Sequence, residues 1–293
     1  MCSRGGRCAV RGRMRSREVA VRGRVRSREV AVRGRVRSRG RCREGAHAPG
    51  ALRARPNCRR ACAGFLRARM RARKETMSGR PAAPVPPHPP VGRGAFREVY
   101  EPDDDTYLLL DALDRAALDL AGVEVCLEVG SGSGVVSAFL ASVIGPGALY
   151  LCTDLNPQAA ACTLETAARN RVLVQPVVTD LVRGLLPRLR GAVDLLVFNP
   201  PYVPTPSHEV GSPGVASAWA GGRRGREVTD RLLPAAAELL SAGGLFFLVT
   251  VRENDPEDIL AAMEAAGLPG SVALTRRAGG ESLSVLRFRR PRR

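Results

Sequence analysis

The sequence predicts an α/β protein with a doubly wound, mainly parallel sheet of seven strands, preceded by a disordered arginine-rich extension. Three observations lead to this prediction. From residue 96 onward, apolar runs alternate with stretches of helical character. A glycine-rich turn follows the first apolar run, and polar side chains end three later runs. Alternation of this kind is typical of a parallel sheet covered by helices on both faces.

Local signals justify the elements in order along the chain. Acidic residues at 103–105 favour the start of a first helix, Pro157 suits the first turn of another, and Gly243-Gly244 ends a fourth. The predicted helices cover 102–120, 134–144, 157–170, 226–241 and 256–266. Apolar runs rich in β-branched and aliphatic residues predict strands at 123–129, 148–153, 172–178, 193–198, 244–251, 271–276 and 282–288. Since Pro176 cannot donate a ladder hydrogen bond, the strand at 172–178 is predicted at the sheet edge.

The positive charge is confined to the first quarter of the chain. Residues 1–76 contain 25 Lys and Arg against 4 Asp and Glu, whereas residues 77–293 contain 21 against 24. The larger part is therefore close to neutral, which argues against nucleic acid as its obligate partner. An 11-residue repeat starts at Arg15 and again at Arg26, but it carries too little apolar area to offset the entropy of ordering.

This composition predicts three segments. They are a basic, disordered extension at 1–76, a proline-rich linker at 77–95 and one α/β domain at 96–290, with ordered structure beginning near Phe96. The extension is either an RNA-binding arm or repetitive coding sequence without selected structure. Translation starting at Met77 is a further interpretation, because an ordinary stretch begins there.

Cysteine usage and hydropathy limit the cellular compartments that fit the sequence. Cys126, Cys152 and Cys162 lie in apolar contexts typical of buried thiols. Cys58 and Cys62 have no second pair to complete a metal site, so no metal is predicted. No apolar run approaches the length that crosses a bilayer, and no signal-peptide core is evident. We expect a reducing compartment without membrane contact: the cytoplasm, with the nucleus as a second location.

Polar residues at strand ends indicate an adenosine site. Gly130, Gly132 and Gly134 form a G-x-G-x-G turn that lets the backbone approach a ligand, although it lacks the third glycine position of the dinucleotide fingerprint. Asp154 ends the next strand, where an acid can accept hydrogen bonds from both ribose hydroxyls. Capping of the following helix is its alternative role. Asp180 ends the third strand, where an acid can accept from an adenine amino group.

The strand at 193–198 runs into Asn199-Pro200-Pro201-Tyr202. The two prolines fix φ and remove two backbone donors, which holds Asn199 extended with its carboxamide free. The turn falls at the carboxyl end of a strand, where open α/β sheets bind ligands. A strand followed by a purely structural Pro-Pro loop is the alternative interpretation.

Together these motifs resemble class I S-adenosylmethionine-dependent methyltransferases, and Asn-Pro-Pro-Tyr narrows the resemblance to enzymes that methylate amino groups. The stretches 100–106 and 219–227 resemble the HemK/PrmC family of release-factor glutamine methyltransferases, in its short eukaryotic branch. The resemblance covers about residues 91–290. Asp104 stands where the family usually has Glu, and the arginine-repeat arm has no counterpart in the family.

The resemblance implies a Rossmann-like fold, S-adenosylmethionine as cofactor, and N5-methylation of the glutamine in the Gly-Gly-Gln loop of the eukaryotic class I translation termination factor. It also implies a heterodimer with a small zinc-binding activator subunit, which we expect at the 172–178 edge. The implied cofactor-binding residues are Thr106, Glu128, Gly130, Ser131, Asp154, Asp180, Leu181 and Asn199. The implied catalytic residues are Asn199, Pro200 and Tyr202, with Pro201 added for substrate binding.

The chemistry of glutamine methylation explains an amide at position 199. A glutamine side-chain nitrogen is a poor nucleophile, because its lone pair is delocalised into the carbonyl. The Asn199 side-chain oxygen and the Pro200 carbonyl are predicted to accept its two N–H hydrogens, which orients the nitrogen and favours charge build-up without a general base. Orientation and electrostatics of this kind are worth several kcal/mol. Tyr202 is predicted to pack its ring on the amide, or alternatively to fill the core of its own loop.

Other functions stay open at this point. N6-adenine methyltransferases of DNA or RNA share Asn-Pro-Pro-Tyr, but they need a stacking aromatic and a basic path for phosphates. Only the arm at 1–76 can supply that path, so nucleic acid is expected as a partner through the arm alone. Methylation of lysine or of trivalent arsenicals occurs as a side activity in the family. A non-catalytic RNA-binding protein on a vestigial fold is disfavoured by the intact acids and Asn199.

Overall fold

The computed structural model describes residues 84–212, 214–278 and 280–292. The strands are β1 (Val125–Val129), β2 (Leu149–Asp154), β3 (Gln175–Val178), β4 (Val193–Phe198), β5 (Leu240–Val251), β6 (Gly270–Ala278) and β7 (Glu281–Arg289). The helices are α1 (Asp104–Arg115), α2 (Val135–Ile144), α3 (Pro157–Asn170), α4 (Glu227–Leu239) and α5 (Pro256–Ala265). The basic extension predicted at 1–76 lies outside the described residues.

The strands form one seven-stranded sheet in the order β3-β2-β1-β4-β5-β7-β6. The strands β1 to β5 pair in parallel, whereas β7 pairs antiparallel with both β5 and β6. The strand order reverses between β1 and β4, which opens a crevice at their carboxyl ends, where α/β sheets bind ligands. The predicted doubly wound, mainly parallel sheet of seven strands is confirmed, and β3 lies at its edge as predicted.

Two apolar layers cover the two faces of the sheet. The central strand β4 alternates between them: Leu195 and Val197 pack with residues of α1 and α2, whereas Leu196 and Phe198 pack with residues of α4 and α5. All four side chains are buried. A strand buried on both faces has to be apolar throughout, which explains the continuous apolar run that ends at the turn 199–202.

Helix α1 begins as predicted and ends early. The Asp103 side chain accepts a hydrogen bond from the backbone N–H of Asp104, which caps the helix. The helix was predicted to reach residue 120, but it ends at Arg115, and tight turns follow it. In one of these turns the N–H of Asp119 donates to the carbonyl of Ala116 at 2.8 Å. The turns allow the chain to bury Leu120 before β1 begins.

Strand β3 is shorter than the predicted strand at 172–178. Arg171 adopts a left-handed conformation with φ 57°, and the N–H of Val172 still donates to the carbonyl of Ala167 in α3, at 3.0 Å. This is the hydrogen-bond pattern of a helix C-terminal cap, which occupies the residues that were predicted to start the strand. The remaining predicted strands and helices differ from the observed ones by a few residues at their ends.

The described part of the predicted linker, 84–95, packs on the domain. Pro86 and Val91 are buried, and the Asn170 side chain donates to the carbonyl of Pro87 at 2.8 Å. The prediction that ordered structure begins near Phe96 is therefore wrong for this segment. Proline-rich chain loses little conformational entropy when it docks, because its φ angles are already fixed.

The cysteines and the apolar character of the helices complete the description of the fold. Cys126, Cys152 and Cys162 are free and buried, as predicted, and burial raises the pKa of the Cys126 thiol to about 12. Among the helices of the described residues, none combines the length and the apolar character needed to span a bilayer.

Candidate active site

A cavity of about 420 Å³ opens at the carboxyl ends of β1 to β4. Each strand brings a different group to it: Gly130 follows β1, Asp154 ends β2, Asp180 follows β3 and Asn199 follows β4. The strand order sets these groups in a row from Asp180 to Asn199. All the site residues predicted from the sequence line the cavity, except Tyr202.

The glycine-rich turn closes the floor of the cavity. The N–H groups of Gly130 and Ser131 both donate to the carbonyl of Thr153, at 2.8 and 2.9 Å, which joins the end of β1 to β2. Gly134 has a φ of 78°, and a Cβ at this position would lie 2.7 Å from the Cα of Thr163 in α3. Only glycine permits this approach of α3 to the turn.

Glu128 lies beneath the turn and is almost completely buried. Its Oε2 accepts a hydrogen bond from the Ser137 hydroxyl of α2. Burial raises the pKa of Glu128 to about 8, although the hydrogen bond from Ser137 opposes the shift. The carboxyl is therefore mostly protonated at neutral pH, and a cation placed in the cavity would favour its ionised form.

Asp154 is fixed by backbone donors on both sides. Its Oδ2 accepts from the N–H of Gly132 at 2.9 Å, and its Oδ1 accepts from the N–H of Asn156 at 2.8 Å. Burial raises its pKa, and these backbone hydrogen bonds oppose the rise. The cap of α3 is Asn156, whose Oδ1 accepts from the N–H of Gln158. Capping by Asp154, the alternative role in the sequence, is therefore excluded, and its carboxylate lines the cavity.

Asp180 lines the opposite end of the cavity. The Arg231 guanidinium of α4 donates to its Oδ2, and Arg183 lies 3.8 Å from the same oxygen. Leu181 follows in a left-handed conformation with φ 49°. The ion pair with Arg231 joins the loop after β3 to α4 across the cavity, so Asp180 is held in place before any ligand binds.

Asn199 is held by a partner 94 residues away in sequence. Its Nδ2 donates to Oδ2 of Asp105, in the first turn of α1, at 2.9 Å. Its Oδ1 is buried and has no hydrogen-bond partner among the described residues. Because Asp105 accepts from the nitrogen, the side chain cannot flip without losing this bond. The side chain that lines the cavity therefore keeps one polar atom, Oδ1, without a hydrogen-bond partner among the described residues.

Tyr100 and Thr106 surround the Asp105 carboxylate. The Tyr100 hydroxyl donates to Oδ1 at 3.4 Å, and the N–H of Thr106 donates to the same oxygen at 2.5 Å. Burial and the neighbouring Asp105 raise the pKa of Tyr100 far above its ordinary value, so its proton stays on the hydroxyl. Thr106, which the resemblance implied as a cofactor-binding residue, is buried and lines the cavity.

Comparison with known proteins assigns this site to an enzyme class. The profile of the family called "Methyltransferase small domain" matches residues 94–211. Over 208 residues the chain is 71% identical to "Methyltransferase HEMK2" of Mus musculus, an alignment that covers 71% of this chain and 97% of that protein. The chain belongs to the HEMK2 family of methyltransferases.

Two more distant proteins resemble this HEMK2-family chain. "eRF1 methyltransferase catalytic subunit mtq2" of Schizosaccharomyces pombe is 38% identical over 211 residues, covering 67% of this chain and 90% of that protein. The solved structure of the E. cuniculi Mtq2-Trm112 complex, described as methylating the eRF1 translation termination factor, is 29% identical. It has a TM-score of 0.51 and covers 66% of this chain and 99% of its own.

Tyr202 of this HEMK2-family chain lies behind the cavity rather than in it. Its ring packs against the apolar layer that contains α1 and α2. Burial raises its pKa, with a smaller contribution from the nearby Asp105. This placement fits the alternative that the ring fills the core of its own loop, and it gives no support to stacking of Tyr202 on a substrate amide.

Asp105 is the residue that sequence reasoning missed. In the sequence it is one of three consecutive acids at a helix start, where the helix dipole suffices to explain it. Burial was the signal that distinguishes it, since Asp103 and Asp104 are exposed and Asp105 is 4% exposed. The contact with Asn199 arises only when α1 packs across the end of β4, which no local pattern reveals.

Proposed function

We propose that this chain transfers a methyl group from S-adenosylmethionine to the side-chain nitrogen of the glutamine in the Gly-Gly-Gln loop of the eukaryotic class I translation termination factor. The observation that carries the proposal is the buried, unpartnered Oδ1 of Asn199, a cavity-lining residue whose Nδ2 is bonded to Asp105. The relatives named as eRF1 methyltransferases support the same substrate. Action on this substrate would place the chain in the cytoplasm.

The residues of the cavity fit S-adenosylmethionine. Asp180 and Asp154 stand at neighbouring strand ends, where they can accept from the adenine amino group and the ribose hydroxyls. Thr153 Oγ1, in the cavity wall, is a buried oxygen without a hydrogen-bond partner among the described residues. The acids Asp154 and Glu128 suit a cationic cofactor. When bound, the cofactor supplies an electrophilic methyl group on a sulfonium.

The Asn199 turn prepares a weak nucleophile. An amide nitrogen shares its lone pair with the carbonyl, and attack localises positive charge on the nitrogen. Asn199 Oδ1 and the Pro200 carbonyl are acceptors for its two hydrogens, so they orient the nitrogen and stabilise the charge that develops. Asp105 takes no proton in this scheme, because its oxygens already accept from Asn199 and Thr106. The proton leaves the nitrogen after methyl transfer.

We propose the exposed edge at β3 as the docking site of a small zinc-binding activator subunit. Leu173 is 83% exposed and Val178 is 53% exposed, and both lie at the edge strand β3 or just before it. An unpaired strand edge offers backbone donors and acceptors to a partner. The related Mtq2 structure is a complex with Trm112, which supports a partner subunit for this chain.

The decisive experiment is methyl transfer in a defined mixture. The full chain, the activator subunit, S-adenosylmethionine and the termination factor are incubated, and peptide mass spectrometry locates the methyl group. We expect one methyl on the Gly-Gly-Gln glutamine, loss of this product with Asn199→Ala, and full product with the matched control Asn170→Ala at the C-terminal end of α3. Absence of methyl on that glutamine with the wild-type chain would refute the proposal.

A further inference from the structure

The buried side chain of Asn254 is bonded to the back of the catalytic turn. It is 2% exposed and follows β5. Its Nδ2 donates to the carbonyl of Tyr202 at 2.8 Å and to the carbonyl of Arg224 at 2.9 Å. Its Oδ1 accepts from the N–H of Val251, the last residue of β5, at 2.9 Å. One carboxamide therefore ties β5, the turn at 199–202 and the loop at 221–226 together.

The loop at 221–226 touches the same turn without intervening side chains. A Cβ on Gly225 would lie 1.8 Å from the carbonyl oxygen of Tyr202, and a Cβ on Gly221 would lie 2.5 Å from that of Pro201. Gly225 also has a φ of 68°. The two backbones are thus in direct contact, and the glycines of this sequence stretch are required by that contact.

The loop at 221–226 is itself fixed to the start of α5. The side chain of Arg226 is largely buried and forms ion pairs with Asp258 in α5 and Asp230 in α4. Arg224 pairs with Asp255 at 2.8 Å. The loop therefore has little freedom to follow a displaced turn, and Asn254 sets the distance between the two.

We propose that Asn254 is a positioning residue for methyl transfer. By holding the Tyr202 carbonyl against the loop at 221–226, it fixes the plane of the turn and with it the acceptors Asn199 Oδ1 and the Pro200 carbonyl. The inference rests on the proposed function for the task of these acceptors. The adenosine side of the cavity is built on β2 and β3, away from Asn254, so cofactor binding does not depend on it.

Asn254→Asp tests this with a nearly isosteric change. One oxygen of the introduced carboxyl keeps the bond from Val251, and the other replaces Nδ2 and faces the carbonyls of Tyr202 and Arg224. We expect kcat to fall about ten- to a hundredfold, since two donor bonds become repulsive contacts, while the Kd for S-adenosylmethionine stays within about twofold. As pH falls the introduced carboxyl gains a proton that it can donate to one carbonyl, so the ratio of variant to wild-type kcat rises.

Two further variants separate positioning from loss of stability. Gly225→Ala places a Cβ 1.8 Å from the Tyr202 carbonyl oxygen and 2.5 Å from Asn254 Nδ2, and is expected to show the same loss of kcat with retained cofactor affinity. Asn170→Asp is the matched control, because Asn170 Nδ2 also donates to two carbonyls, those of Pro87 and Thr166, at 2.8 Å each. It lies on α3, and its kcat is expected to stay within about twofold of wild type.

Failure of the inference about Asn254 can be told apart from failure of the proposed function. Wild-type transfer to the termination factor is measured first, and its absence refutes the proposed function alone. Amide hydrogen exchange then tests Asn254 without substrate: Val203 and Gly221, whose N–H groups donate to Trp219 and Val203, should exchange faster in Asn254→Asp than in Asn170→Asp. Unchanged exchange at both amides overturns the inference. So does a kcat within about twofold of wild type in both Asn254→Asp and Gly225→Ala.

Discussion

Replacing Asp105 with Asn tests how the acceptor of Asn199 is oriented. Donors face both oxygens of the Asp105 carboxylate: Asn199 Nδ2 lies 2.9 Å from Oδ2, whereas the N–H of Thr106, at 2.5 Å, and the hydroxyls of Thr106 and Tyr100 are directed to Oδ1. A carboxylate accepts both bonds, whereas a carboxamide has one oxygen and must turn its NH₂ group toward one of the donors. The backbone of Thr106 cannot flip, but the side chain of Asn199 can. We therefore expect Asn199 to turn its nitrogen into the cavity in Asp105→Asn.

The magnitude follows from the lost acceptor. A donor now faces one N–H of the substrate amide, so one hydrogen bond is lost and two donors are left opposed, which costs about 1 to 3 kcal/mol. With about 1.36 kcal/mol for each tenfold change in rate, kcat is expected to fall about 5- to 150-fold. The Kd for S-adenosylmethionine should change by less than about twofold, because the adenosine contacts proposed for β2 and β3 are unaltered.

The assay is single-turnover methyl transfer at saturating cofactor and termination factor, with calorimetry for cofactor binding. Asp119→Asn is the matched control, since it makes the same chemical change in an exposed carboxylate that pairs with Arg287 at 2.8 Å. Such surface pairs contribute about 0 to 1 kcal/mol to stability, and this one is remote from the cavity. A rate for Asp105→Asn equal to that of Asp119→Asn would show that Asp105 does not orient Asn199.

Three further predictions address other parts of the structure. The pKa of Glu128 is raised to about 8 by burial, so the cationic cofactor should bind more tightly as pH rises from about 6 and should level off above about 8. Calorimetry in buffers of different ionisation enthalpy should show proton release that Glu128→Gln removes, and pH-independent binding by the wild type would contradict this. In the ligand-free chain the same raised pKa gives stability that is fully present below about pH 4.5 and is lost as pH rises through about 8. Gly134→Ala should lower the free energy of unfolding by about 1 to 3 kcal/mol, because its Cβ meets Thr163 at 2.7 Å and its φ is 78°; an unchanged melting temperature would refute the contact. Leu173→Glu should weaken binding of the activator subunit at least about tenfold without lowering the melting temperature. The control Leu118→Glu, at a residue that is 62% exposed after α1, should leave that binding unchanged. Equal effects of the two variants in a pull-down titration would argue against the β3 edge as the docking site.

Sequence reasoning placed residues correctly where their position depends only on the strand that carries them. The positions of Asp154, Asp180 and Asn199 follow from the rule that parallel strands present their carboxyl ends at one edge, and Pro176 alone was enough to place β3 at the sheet edge. It failed where the task depends on packing between distant segments. Composition predicted that 84–95 is part of a linker, yet Val91 packs against apolar residues of α3.

The same limit explains the residues found only in the structure. Asp and Asn are both common at helix starts, where their side chains accept hydrogen bonds from nearby backbone N–H groups. Asp105 and Asn254 each accept one such local hydrogen bond. Their second contacts, to Asn199 and to Tyr202, cross 94 and 52 residues of sequence. Periodicity and motif spacing carry no information about such contacts, whereas burial of a polar side chain next to a catalytic turn does.

The rim of the cavity argues for a protein loop rather than a nucleic acid as the substrate. Beyond Asn199, the side of the cavity formed by 210–218 contributes Val210, Gly211, Ser212, Gly214, Ser217 and Ala218, which are small and uncharged. Arg231 is the lining cation on the described residues, and its charge is already paired with Asp180. Phosphate groups need unpaired cations near the site. A glutamine preceded by two glycines brings a slender, uncharged backbone to such a rim, so the surface that admits the substrate and the acceptor that binds its amide support the same proposal.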